Sequence, residues 1–118
     1  MSHRFGPDLL RGSLDLMVLS LLANESTYGY DLQQKLLAAS GQLVQLQPGT
    51  LYPLLHRLEG ERLIRSRWDD STGRKRKWYE ITPAGRQRLI AQTDEWDRYV
   101  ACIQTILAPL RPQGVAST

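Results

Sequence analysis

The chain has 118 residues, enough for one domain of modest core and too few for two. Its single cysteine, Cys102, excludes an intrachain disulfide framework and suits a reducing compartment. The formal net charge of +3 is unevenly placed: Arg57 to Lys77 holds eight basic residues against four acidic ones, +4 (8 − 4), and the remainder sums to −1 (7 − 8). Charge gathered on one structural unit is the footprint expected for phosphate contact.

Residues 1–7 read as a short polar lead, expected to be mobile, without the apolar region of a signal peptide. No run approaches the roughly 18 consecutive apolar residues of a membrane span, so a cytoplasmic protein without membrane contact is expected. Asp8 is placed to cap a helix running to about Ala23, which is apolar nearly all round. In so small a domain one covering surface is the core and the other a second chain, which puts Leu14 and Met17 at a dimer contact. Ser26 or Thr27 is placed to cap a second helix, about Tyr28 to Ala39, with Leu32, Leu36 and Leu37 inward. Ser40-Gly41-Gln42 ends it, and Leu43, Val44 and Leu46 make a brief extended piece.

From Gln47 to Ile64 the spacing predicts a third helix with a leucine back, Leu51, Leu54, Leu55 and Leu58. Its polar front carries Tyr52, Pro53, His56 and Arg57. Thr50 is expected to cap it, with Pro53 in the first turn. Residues 63–82 then form a hairpin: two runs with β-branched and aromatic residues flank Asp69-Asp70-Ser71-Thr72-Gly73. Arg74, Lys75, Arg76 and Lys77 follow that turn, too many like charges to bury, so the tip projects into solvent. Three helices and a basic hairpin in this order predict a winged helix-turn-helix over residues 8–82, mainly α with a small β hairpin.

Pro83-Ala84-Gly85 opens a long last helix over residues 83–108. Leu89, Thr93, Trp96, Val100, Ile103, Leu107 and Leu110 are spaced 4, 3, 4, 3, 4, 3, a heptad seam that predicts a dimerisation helix. Pro109 ends the regular helix, and residues 109–118 are expected to be flexible. Cys102, beside the seam, is expected to be a buried structural thiol.

Arg11-Gly12-Ser13-Leu14-Asp15-Leu16, Tyr28-Gly29-Tyr30-Asp31-Leu32, Pro48-Gly49-Thr50-Leu51-Tyr52-Pro53-Leu54-Leu55 with Arg57-Leu58-Glu59, and Arg76-Lys77-Trp78-Tyr79-Glu80-Ile81-Thr82-Pro83-Ala84-Gly85 follow one another in this chain. In this order they resemble the PadR family of bacterial transcriptional regulators, in particular its short members with a single C-terminal helix. The resemblance implies a homodimeric repressor that binds an inverted-repeat operator and is released by a small, often aromatic, molecule. On matching positions it implies DNA contacts from Thr50, Tyr52 and Tyr30, with Arg76 and Lys77 on the wing beside Arg74 and Lys75. His56 and Arg57 face the same way and are expected at base edges, Arg57 at guanine. Trp96 is expected either to fill the dimer seam or to stack on a flat ligand between the subunits. The chain departs from the family at Gln47, where a small capping residue is usual, and at Trp78, where tyrosine is common. At Arg62 glycine is usual, and Gly60 is expected to supply the flexible backbone instead.

Other classes fare worse. Two histidines, His3 and His56, and one cysteine give no metal-ligand cluster, no nucleotide-binding or hydrolase fingerprint is present, and no cofactor is implied. An enzyme is not expected. The alternative is a winged helix used for protein–protein contact, which leaves the basic wing without a purpose.

Overall fold

In the computed structural model, which describes residues 12–111, the core is built mostly of leucine. Helix α1 (Ser13–Asn24) contributes Val18, Leu19 and Leu22, α2 (Gly29–Ala39) contributes Leu32 and Leu36, and α3 (Pro48–Gly60) contributes Leu51, Leu54, Leu55 and Leu58. Strands β2 (Ile64–Asp69) and β3 (Arg76–Ile81) close it with Ile64, Tyr79 and Ile81. Helix α4 (Pro83–Leu107) packs against α1, and Ala108–Leu110 continue it as a 3-10 turn. Asp8, residues 1–7 and residues 112–118 lie outside the described residues, as do the expectations placed on them.

The winged arrangement is as the residue pattern predicts, with one added strand. Thr27 and Tyr28, expected as a helix cap and first turn, form strand β1 and pair antiparallel with Tyr79 and Trp78. The sheet therefore has three strands in the order β1-β3-β2. Backbone groups at Thr27 find their partners in β3, so α2 starts at Gly29 with Tyr28 as its N-cap and no side-chain cap. The start of α3 also differs from expectation. Pro48 occupies its first turn and Gln47 is the N-cap, so Thr50 does not cap the helix; its N–H donates to the Gln47 carbonyl (2.9 Å). Pro53 lies further in than the first turn, on the exposed side, where the carbonyl that a proline cannot serve, that of Gly49, belongs to an exposed residue.

The junction between α3 and β2 overturns another expectation. Gly60 stays helical, and Arg62 itself adopts φ +62°, the left-handed backbone that usually falls to glycine. Arg62 N–H bonds the Glu59 carbonyl (2.9 Å) and Leu63 N–H the Leu58 carbonyl (3.0 Å), the paired bonds of a Schellman ending. These bonds and the burial of Leu63 hold the arginine in that conformation. α4 opens at Pro83 as expected, with the proline in the first turn, and Thr82, to which the sequence pattern assigns no role, supplies the cap: its Oγ1 accepts from Gly85 N–H (3.0 Å).

Candidate nucleic-acid interface

Alternation along the wing decides which charges meet a ligand. Register pairs Ile64 with Ile81, Ser66 with Tyr79 and Trp68 with Lys77, and these share the face turned toward α3. Arg65, Arg67 and Glu80 occupy the other face, where both arginines lie 3.9 Å from the Glu80 carboxylate. Alternation thus gives the groove between α3 and the wing Lys75 and Lys77, whereas Arg76, opposite Asp69, falls on the face of Arg65 and Arg67 and lines the groove beside Tyr30.

That groove has a volume of about 500 Å³. Tyr30 and Gly29 of α2, Tyr52, His56 and Glu59 of α3, and Trp68, Lys75, Arg76, Lys77 and Tyr79 of the wing line it. Tyr52 and Trp68 are exposed, and Lys75 and Lys77 stand over the Trp68 ring at 5.6 and 5.4 Å. Lys77 has a carboxylate beside it: its Nζ lies 3.9 Å from Glu59, which also accepts from Ser66 Oγ (2.6 Å). A smaller cleft of about 310 Å³ joins Tyr30, Arg74 and Arg76. Among the described residues Arg74 has no ion-pair partner.

Arg76 is held from three sides. Its Nη1 donates to the Tyr30 hydroxyl, its Nη2 to Thr72 Oγ1 (3.3 Å), and its guanidinium lies 4.1 Å from the Tyr28 ring centroid and 5.4 Å from that of Tyr30. Among the described residues its Nε is buried without a partner, which leaves a donor unsatisfied in the cluster. Tyr28 in turn donates to Asp69 Oδ2 (2.5 Å) and meets Trp78 edge-on at 4.9 Å. β1 is what brings Tyr28 here.

The Tyr28 hydroxyl, followed by the N–H and side chain of Ser71, holds the Asp69 carboxyl at about 2 against an ordinary 3.8. A carboxyl depressed on folding adds stability above 3.8, and that stability is lost as pH falls through about 2. The wing turn is therefore expected to keep its Asp69 bonds at any pH where DNA is bound. A carboxyl-carbon NMR titration should give Asp69 a midpoint near 2, rising toward 3.8 in Tyr28→Phe.

Two of the residues expected at DNA sit apart from both the groove and the smaller cleft. Thr50 lies exposed in the first turn of α3 and does not line it. Arg57, expected at base edges, turns its guanidinium onto Asp15 of α1: Nη1 donates to Oδ2 (3.0 Å) and Nη2 to Oδ1 (2.5 Å). The edge a bidentate guanine contact would use is occupied, so guanine reading is not where this geometry places Arg57. Trp68, Tyr28 and Asp69 join the site without having been expected there. Alternation from Ile64 through Ser66 to Trp68 is the sequence signal for the first; the other two depend on β1.

At the other end of the molecule, Leu14, Met17 and Leu89 are half-buried against the core of their own chain. Trp96 and Val100 are half-buried, and Trp96 lies 5.5 Å from the Tyr99 ring. Thr93 donates its hydroxyl to the Leu89 carbonyl (2.7 Å). Every residue from 101 to 110 is exposed, including Ile103, Leu107 and Cys102, which in the single chain is not the buried thiol expected. No described helix is long and apolar enough to cross a membrane.

Comparison with known proteins agrees with this architecture. Residues 18–91 match the Transcriptional regulator PadR-like family. A transcriptional regulator from Mycobacterium tuberculosis is 40% identical over 79 residues, which cover 67% of this chain and 71% of that protein. The solved structure of a transcriptional regulator from Clostridium thermocellum superposes with a TM-score of 0.75 at 31% identity, covering 83% of this chain and 96% of that one. A PadR family transcriptional regulator from Eggerthella lenta superposes at 0.70 with 37% identity, covering 85% of this chain and 82% of that one.

Proposed function

The chain belongs to the PadR-like family of transcriptional regulators, and from that premise we propose that it is a homodimeric repressor of an inverted-repeat operator, relieved by a small aromatic effector. It is a DNA-binding regulator with a winged helix, not an enzyme. The observation that carries the finer reading is the groove between α3 and the wing, where Lys75, Arg76 and Lys77 stand among Tyr30, Tyr52, His56 and Trp68. Cations flanked by hydroxyls and aromatic faces suit a phosphate backbone at the edge of a base-lined groove. α3 enters the major groove in this reading, and Tyr52 and His56 are its nearest side chains to base edges, with Thr50 at the helix start and Arg74 at the wing tip.

The dimer rests on the bare seam of α4. Ile103, Leu107 and, in the 3-10 turn that follows, Leu110 are exposed among the described residues, and a second copy in heptad register would cover them. Two recognition helices would then lie about one helical turn of DNA apart, roughly 34 Å. Trp96, beside Tyr99 and half-covered, would meet its two-fold mate across the seam and form the slot for a flat effector. Such a regulator works in the cytoplasm.

Fluorescence anisotropy across a salt series, on duplex from the upstream region of the gene and on a shuffled duplex, tests the reading. Tight, selective binding with a steep negative salt slope is expected. Arg76→Ala should weaken both duplexes about tenfold and reduce the slope by about one, whereas Lys77→Ala, already tethered to Glu59, should lose less. Weak, salt-insensitive binding to both duplexes would put a protein partner in place of the operator.

A further inference from the structure

The Arg57 side chain belongs to a run of charges that crosses three helices. Asp15 of α1 receives both guanidinium nitrogens of Arg57 from α3, Arg57 Nη1 also donates to Glu61 Oε2 (3.2 Å), and Glu61 Oε1 lies 3.7 Å from Arg88 of α4. The Asp15 side chain is only 13% exposed, so water competes weakly for it. We propose that Asp15 and Arg57 are positioning residues: their two-point fork sets the roll of α3 against α1, and sequence-specific binding depends on it although neither side chain touches DNA. The inference rests on the operator reading and adds to it what holds the reading helix at its working angle.

Packing alone fixes that angle poorly. α3 meets the core through Leu51, Leu54, Leu55 and Leu58, and dispersion between leucines has little directional preference. A planar guanidinium matched to a carboxylate by two parallel bonds has a strong one. His56 adjoins Arg57 in sequence, and Tyr52 projects from the same helix into the groove, so a small roll about the α3 axis moves both. Asp15 is also the wrong charge for a DNA-binding protein to keep beside its reading helix unless it is needed for geometry. Glu61 extends the tie to Arg88, one residue before Leu89, where α4 leaves the core for the seam.

The charge sign makes the test sharp. Neutralising a carboxylate by Asp15→Asn raises the net charge, and by electrostatics alone would tighten binding to any DNA. If Asp15 positions α3, Asp15→Asn instead weakens the upstream duplex about tenfold, while random-duplex binding is as tight as the parent's or slightly tighter and the salt slope is unchanged. Arg57→Met should lose as much, and the double variant no more than Arg57→Met alone. Arg57→Lys keeps the charge and the fold but not the fork, and should also lose selectivity; melting curves confirm that each variant is folded. Asp15→Asn or Arg57→Lys binding the upstream duplex as tightly as the parent overturns the inference, as does Arg57→Met with a reduced salt slope, the mark of direct phosphate contact. A parent that fails to discriminate the two duplexes overturns the operator reading and the inference with it.

Discussion

Gly85→Ala is expected to destabilise the fold by about 3 kcal/mol or more, the loss expected of overpacking against backbone that cannot yield. A Cβ built at Gly85 lies 2.0 Å from the Leu63 carbonyl oxygen, 2.7 Å from Ile81 Cγ1 and 3.0 Å from the Leu63 carbonyl carbon. A flexible side chain would move aside. The Leu63 carbonyl cannot, because it accepts from Thr82 N–H (3.0 Å) and from Thr82 Oγ1 (3.1 Å). Leu63 and Ile81 are themselves buried, so the strain passes into the core. Relief requires the first turn of α4 to lift away from β2, and the Thr82 cap is lost with it. Urea unfolding should show a lower midpoint at unchanged slope. Gly49→Ala and Gly60→Ala make the control, since nothing lies within 4 Å of either added methyl group. Both are helical positions, where alanine is favoured by roughly 0.5–1 kcal/mol. A Gly85→Ala chain as stable as these would mean that the junction is looser than its distances.

The difference between Gly85 and the other two glycines marks where sequence reading stops. Pro83 and Gly85 are legible as a helix start, because the preference of proline for a first turn is local. That the Gly85 backbone presses on a carbonyl from residue 63 is a tertiary fact, without a local signature. The leucine face of α3 and the wing are visible for a different reason: period 3.6 and period 2 are set by burial on one side. β1 is not, since two residues have no period and Thr27 and Tyr28 are strand only because β3 offers them hydrogen bonds. Helical spacing places Arg57 on the polar side but cannot show that a carboxylate 42 residues earlier claims it. Likewise the Arg62 backbone takes its left-handed turn because α3 must end within reach of β2, against the preference of its own side chain. Groove chemistry is half legible: the basic run is plain, but Trp68 and Tyr28 enter through strand register.

The seam of α4 carries the second large effect. On the proposed homodimer, Ile103→Asp is expected to leave a monomer and to cut affinity for the proposed operator roughly 100-fold or more, the advantage that two linked binding modules hold over one. Ile103 and Leu107 are 36% and 38% exposed in the single chain, and Ile106 and Leu110 are 68% and 79% exposed. Apolar exposure of this kind along the last ten residues of a helix is poorly tolerated in water unless a partner covers it. In the proposed dimer, heptad register about a two-fold axis would bring Ile103 to its mate, so aspartate there would place two carboxylates face to face in an apolar strip. Neither has a cation to pair with, and desolvating them costs more than the seam returns. The domain itself should persist, because the hydrophobic core and the side chains packed against it extend no further along the chain than Leu89. Sedimentation should give the mass of one chain, and affinity for a half-site should stay at the parent value while affinity for the full operator falls to meet it. α3 and the wing are untouched by the substitution, so a loss confined to the full operator isolates the contribution of pairing. An Ile103→Asp chain that still sediments as a dimer would move the interface away from this seam, to the face of α1 that carries Leu14 and Met17.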